Sequence, residues 1–370
     1  MSRISRSLVL GFTSLICVGL ALAAEPYTGF NASSARGFKL SPTFNGFQFD
    51  NKPDSSVGWM HMIQQKDGSF LTLLFTAANL GPYHLSTSIG AMYTKPGGPT
   101  YTCSELWRDD AHFTAPPKDR YWVRVNNSYF GGKYPDFQVK LNDGGCKGEV
   151  KFTSMLPSYS QGSGLATFGS KSVGTWQLLA ISPRAKATGS LQFPGGKVTV
   201  DGDAYLEVVS TDMMVPQLAD RWYILHYLQG PWTLNVFDIV VDKSNYGEGH
   251  VRTLMLAKDN QIIMGTTQFT YQPQGGWKHD DSGSTVPQSF KLGARDGAVS
   301  LTGTVKYGKN LDVMNLLEKL PLPARVYAGV RYGTPYQFRS AAELDLSVTE
   351  NGVSTPIKGT GFSEIHFYDR

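Results

Sequence analysis

The chain has 370 residues, with 34 Lys and Arg against 30 Asp and Glu and a net charge of +4. Its cations are scattered, so the concentrated basic stripe that nucleic-acid binding requires is absent. With 40 Gly, 20 Pro and 12% aromatic residues, the composition describes many short strands joined by turns rather than a low-complexity chain.

The first element is a targeting segment. Arg3 and Arg6 precede an apolar run from Leu8 to Leu22, and Ala21-Leu22-Ala23 is a small-residue cleavage pattern before Ala24. This is the layout of a signal peptide over residues 1–23, shorter than a comfortable membrane span. No later stretch approaches the ~20 apolar residues of a spanning helix. The expectation is a secreted or lumenal protein that is not inserted in a membrane. Cys17 leaves with the signal, and Cys103 and Cys146 remain as an even pair, expected to form a disulfide. Closing that loop is worth roughly 4 kcal/mol in the chain-entropy model. Asn31-Ala32-Ser33 and Asn126-Asn127-Ser128 are glycosylation sequons that fit the same compartment.

Strands then follow in pairs. Ser55–Gln64 and Ser69–Ala77 flank Asp67-Gly68 as a hairpin, and Tyr83–Tyr93 ends at a Pro-Gly-Gly-Pro turn. Tyr121–Asn126, Phe137–Leu141, Gly148–Thr153, Trp176–Ser182, Ala187–Phe193, Lys197–Val200 and Ala204–Val209 complete a first series. The second runs through Arg221–Leu228, Trp232–Val241, Val251–Ala257, Gln261–Tyr271, Gln288–Leu292, Val299–Tyr307, Arg325–Tyr332, Ser340–Val348 and Gly359–Phe367. Helical spacing is confined to residues 310–319, where Leu311, Met314 and Leu317 recur before Pro321 and Pro323, and more weakly to Cys103–Asp109. The fold class is all-β: two antiparallel β-barrel or sandwich domains, 24–210 and 211–370, packed together with one short helix. Leu71-Thr72-Leu73-Leu74-Phe75 and Trp222-Tyr223-Ile224-Leu225 are apolar on both faces, as expected where two layers meet and leave a cleft between them.

Catalytic signatures are few. HExxH, GxSxG and a Gly-rich phosphate loop are all missing, and the seven histidines show no metal-ligand spacing, so neither metal nor cofactor is expected. Two strands carry aromatic and polar groups on one face. Trp59, His61 and Ile63 share a face opposite Met60 and Met62; Trp222, Ile224 and His226 share one opposite Tyr223, Leu225 and Tyr227. A histidine in such a strand is most often a satisfied core residue, and its functional reading is a polar finger in an apolar pocket wall. Glu207 and Asp212 are the nearest carboxylates, able to orient a histidine or to give up a proton if burial raises the pKa, with a solvated surface carboxylate as the default.

Asp203-Ala204-Tyr205-Leu206-Glu207, Pro216-Gln217-Leu218, Arg221-Trp222-Tyr223-Ile224-Leu225-His226 and Gln229-Gly230-Pro231-Trp232-Thr233-Leu234 together resemble the centre of fungal lipocalin-like Diels–Alderases, the decalin-forming pericyclases. That family is similar in turn to the two-domain carotenoid hydratase-like group. The resemblance spans the chain from about residue 50 to its end, in order and pattern. It implies two lipocalin-like barrels and a cofactor-free intramolecular [4+2] cycloaddition of a linear polyene from a polyketide pathway. Trp59, Tyr205, Trp222, Tyr223 and Trp232 would wall the pocket, and His61 and His226 would donate to the dienophile carbonyl. The alternatives are a lipophile carrier, which the same apolar barrel serves, and a hydratase, dehydratase or isomerase using Glu207, Asp212 or a histidine as acid.

Overall fold

The computed structural model describes residues 24, 26–30, 52–80, 83–107, 113–114, 121–170, 174–318, 320 and 322–368. The signal segment and the Asn31 sequon lie outside the described residues.

The first lobe contains β1 (Tyr27–Thr28), β2 (Ser56–Gln65), β3 (Phe70–Leu80), β4 (Tyr83–Thr94), β5 (Thr100–Trp107), β6 (Phe113–Thr114), β7 (Tyr121–Val125), β8 (Ser128–Lys133), β9 (Asp136–Asp143), β10 (Cys146–Ser154), β11 (Leu165–Phe168), β12 (Gly174–Phe193) and β13 (Gly196–Thr211). They form one sheet in the order β5-β4-β3-β2-β13-β12-β10-β9-β8-β7-β6, with β1 and β11 added beside β12. Its β5 edge is stapled to β10 by the expected disulfide between Cys103 and Cys146, whose Cα atoms are 5.9 Å apart. A second tie lies next to it, where Gly144 N donates to Glu105 Oε2 at 2.7 Å. Asn126 occupies the β7–β8 turn, its amide donating to Asp143 Oδ1 at 2.7 Å, so the sequon is tied to a buried carboxylate.

A short helix α1 (Val215–Leu218) leads into the second lobe: β14 (Ala219–Gln229), β15 (Trp232–Val241), α2 (Lys243–Tyr246), β16 (His250–Lys258), β17 (Gln261–Thr266), β18 (Phe269–Gln274), β19 (Trp277–Lys278), β20 (Thr285–Val286), β21 (Ser289–Asp296), β22 (Val299–Asn315), α3 (Leu322–Tyr332), β23 (Tyr336–Glu350) and β24 (Val353–Phe367). The main sheet runs β17-β16-β15-β14-β24-β23-β22-β21-β18, all antiparallel, and comes nearly full circle where Gly265 N of β17 donates to Asp296 Oδ2 of β21 at 3.1 Å. Among the described residues no helix is long and apolar enough to cross a membrane.

The period-two alternation of strands sorts side chains into three cores. Val57, Trp59, Ile63, Leu206 and Val208 fill the first barrel. Tyr223, Leu225, Tyr227, Leu234 and Val236 fill the second. Met62, Tyr205, Ile224, Leu228, Phe237 and Phe362 point outward from both barrels and form a third core between them. The strands that read as apolar on both faces are those with a barrel on one side and the other lobe on the other. Polar groups fix the pairing: Gln64 Nε2 donates to Thr360 O at 2.7 Å, and Arg184, held by Asp203 at 2.6 Å, donates to Gly230 O at 2.9 Å.

Three local expectations are corrected. Residues 310–315 are strand, the end of β22, and the helix begins seven residues beyond. Register shifts at Tyr307/Asn310 and Asn310/Asp312 insert extra residues that break the alternation, and a bulged strand then mimics helical spacing. Pro323 lies in the first turn of α3, where its missing N–H costs nothing. Conversely Arg325–Tyr332, expected as strand, is helix, burying Ala324, Ala328 and Tyr332 at a spacing of four. Cys103 begins no helix: it lies in edge strand β5, where Cys103 alone is buried and the remaining side chains are exposed or half-buried, leaving no strong strand pattern.

Candidate functional site

The site lies on the third core, where the outer faces of β12 and β13 meet those of β14, β15, β24 and β23. On β13 the outward side chains are Tyr205 and Glu207. Tyr205 Oη donates to Glu207 Oε2 at 3.0 Å, and both residues are buried. From the other lobe His226 stacks on the Tyr205 ring at 4.0 Å. Its cross-strand partner on β15 is Asn235, and His226 Nδ1 meets Asn235 Oδ1 at 2.8 Å. Both residues sit on strands whose alternate positions fill the second barrel, and this is why they face the first lobe.

Burial sets the protonation states. It holds His226 at about 4 against the opposing pull of Asn235 and the Glu364 charge, so the ring is neutral. With Asn235 Oδ1 assigned to face it, Nδ1 carries the proton and Nε2 is left as an acceptor. Asn235 Nδ2 then has no protein partner, although the residue is only 5% exposed. Burial, with the nearby Glu364 charge, pushes the Glu207 carboxyl up to about 8 despite the Tyr205 hydrogen bond. Glu207 is therefore protonated at neutral pH and able to donate.

One register step along the same face lies a charged network. Glu364 on β24 pairs with Arg339 on β23 at 2.6 Å, and His366 Nε2 lies 3.4 Å from its second oxygen. Tyr368 Oη and Gln337 Nε2 flank the His366 ring at 3.0 and 3.1 Å. Arg339 reaches the first lobe, its Nη1 4.0 Å from Met92 Sδ. Burial works against the Glu364 charge, but Arg339 and His366 win and hold this carboxyl at about 2. Two carboxylates from different lobes thus stand in opposite states, one neutral and one ionised.

Beside these groups is a narrow cleft between the lobes with about 20 Å³ of free volume, room for a single water, so a larger ligand would have to part its walls. Phe30, Leu178, Ala180, Phe237 and Met255 give it apolar walls; Tyr159, Ser160, Gln161, Tyr205, Asn235 and Thr253 supply polar points. Phe30 leans on Trp176 at 5.2 Å, and Trp176 on Trp222 at 5.6 Å.

Of the residues singled out from sequence, the structure brings Tyr205, Glu207 and His226 together and sets Trp222 farther along the same face, against Trp176, His366 and Tyr368. It separates the others. His61 and Trp59 point into the first barrel, because alternation sends Met60 and Met62 toward the second lobe instead. His61 is fully buried against Phe130 at 4.1 Å, neutral with a pKa of about 4 from burial. Tyr223 and Trp232 belong to the second barrel's core. Asp212 caps the start of β12 by accepting from Thr175 N, with Lys52 3.8 Å away. The residues that sequence reading passed over are Asn235, Arg339, Glu364 and His366. Their signal was a polar side chain interrupting an apolar strand, as Asn235 does between Leu234 and Val236.

Glu207 makes stability depend on pH. Its folded pKa of about 8 exceeds the ordinary 4.5, so the unfolded chain binds fewer protons in that window and stability falls as pH rises through it. His61 and His226, lowered from 6.5 to about 4, act oppositely, but only below pH 6.5. Melting temperature is therefore expected to fall between pH 6.5 and 8 in the native chain, and to lose that slope in Glu207→Gln. A parallel slope in the variant would mean that the carboxyl does not titrate there.

Residues 123–368 match the Svf1 family. No curated protein matches the sequence. Among solved structures the chain is similar to CghA, solved with Sch210972, at TM-score 0.63 and 13% identity over 93% of this chain and 98% of that one. It is similar to an AttH protein from Nitrosomonas europaea at TM-score 0.57 and 14% identity, covering 90% and 98% of the two chains. Kievitone hydratase from Nectria haematococca gives TM-score 0.53 and 14% identity over 92% and 98%. At these identities the likeness is one of fold: the lipocalin-like, two-barrel architecture that the central segments resembled.

Proposed function

The chain belongs to the Svf1 family, and from that premise we propose that it is an enzyme holding a flexible lipophilic polyene between its barrels and polarising one conjugated carbonyl, so that an intramolecular [4+2] cycloaddition follows. The observation that carries this reading is Asn235: a hydrogen-bond donor without a partner, positioned by His226, in a cleft with mostly apolar walls. A cycloaddition needs no nucleophile and no cofactor. It needs the two ends of one chain held together, which apolar walls supply as effective molarity. It gains further if a fixed dipole meets the carbonyl oxygen as charge develops on it. Tyr205 and Phe237 would stack on the polyene.

The test uses the purified chain with a linear polyene conjugated to a carbonyl. Loss of the conjugated absorbance faster than in buffer, with one diastereomer formed, is the expected outcome. Binding without turnover would identify a carrier and overturn the reading.

A second reading is favoured by one observation, the neutral Glu207 carboxyl in the buried interface. A hydratase, dehydratase or isomerase would use it as a general acid through or beside Tyr205. Its rate would then fall as pH rises through about 8, whereas a cycloaddition's rate stays flat.

A further inference from the structure

Helix α3 turns an apolar face outward. Leu322, Val326 and Val330 are 69%, 56% and 86% exposed, three of the few large apolar side chains so exposed among the described residues. Their spacing of four places them in one stripe, while Ala324, Ala328 and Tyr332 form the opposite, buried stripe. The helix is anchored on its inner side: Ala328 and Tyr332 pack with Leu317, and Tyr332 Oη donates to Asp54 Oδ1 of the first lobe at 3.2 Å. It therefore presents its outer stripe on a firm base at the edge of the lobe interface. The helix contains two cations and no acidic residue. Arg325 donates to the carbonyls of Glu318 and Leu320, and Arg331 lies over the Tyr332 ring at 5.5 Å. Both are exposed and sit on the two shoulders of the helix, about 100° and 140° round from the middle of the stripe.

We propose that α3 docks this protein on an anionic lipid bilayer, with Leu322, Val326 and Val330 entering the acyl boundary and Arg325 and Arg331 meeting the headgroup phosphates. Aliphatic side chains flanked by arginines are the chemistry of a helix lying in a membrane interface. A second copy of the chain fits less well, because a two-fold contact through this face would oppose the same arginines. The surface lies outside the cleft and stands whether or not the cleft reading holds.

The test is co-sedimentation of the full chain with vesicles of phosphatidylcholine alone and of phosphatidylcholine with phosphatidylserine. The native chain is expected to partition onto the anionic vesicles, more weakly at high salt. The triple variant Leu322→Gln, Val326→Gln, Val330→Gln should lose about tenfold or more of that partitioning. Its circular dichroism and melting temperature should be unchanged, because these side chains face solvent. Arg331→Gln should reduce the preference for anionic vesicles and leave the weaker zwitterionic binding in place. Equal sedimentation of native chain and triple variant would overturn the proposal, as would no binding by the native chain. A concentration-dependent dimer that the triple variant abolishes would also overturn it and assign the face to a second copy.

Discussion

Glu364→Ala should cost about 3–5 kcal/mol of folding stability, read as a lowered denaturation midpoint at unchanged slope. Arg339 is only 8% exposed, and among the described residues Glu364 is the carboxylate that pairs with it. Without it the guanidinium is left charged at the meeting of the lobes, since arginine does not shed its proton. His366 loses the same partner. Two controls separate the unpaired charge from lost packing. Glu364→Gln keeps the shape and one acceptor, so it should cost less than alanine. The double change Glu364→Met with Arg339→Met removes both charges and should recover most of the loss. If alanine at 364 leaves stability within about 0.5 kcal/mol of native, the pair is solvated and the lobes do not close as described.

Much of this architecture is legible in the sequence, and the reason is alternation. The faces read for Trp59/His61/Ile63 and Trp222/Ile224/His226 are those observed, because a strand's period of two is set by its backbone. What one strand cannot tell is which of its faces looks into its own barrel. Both segments put a tryptophan and a histidine on one face, yet one face fills its own barrel and the other meets the first lobe. That choice is made by neighbours distant in sequence, Phe130 and Phe152 for His61, Tyr205 for His226. Asn235 and Glu364 escaped notice for a related reason. A lone polar residue in an apolar strand declares a cost but not its partner, and the partners lie 9 and 25 residues away. Helix α3 misled because its valines face outward, the reverse of the pattern that burial produces.

Asn235→Leu should lower kcat about 100-fold while changing KM much less, if the cleft performs the proposed cycloaddition. Leucine keeps the branched outline of asparagine in a somewhat larger volume and removes the donor, together with the oxygen that His226 Nδ1 meets. Fixed donors are worth 10²–10³ where a full oxyanion forms. A cycloaddition develops partial charge, which places the effect at the low end of that range. His226→Phe keeps Asn235 but frees its amide to rotate, and about tenfold is the expected loss from mispositioning. The double variant decides the order of action. If His226 works only by orienting Asn235, phenylalanine at 226 adds nothing once the amide is gone, and the double variant is no slower than Asn235→Leu. Multiplying losses would instead give His226 its own contact with the substrate through Nε2, the nitrogen that has no partner. An unchanged kcat in Asn235→Leu would remove the donor from the reaction altogether and shift the chemistry to Glu207, whose glutamine variant would then be the slow one.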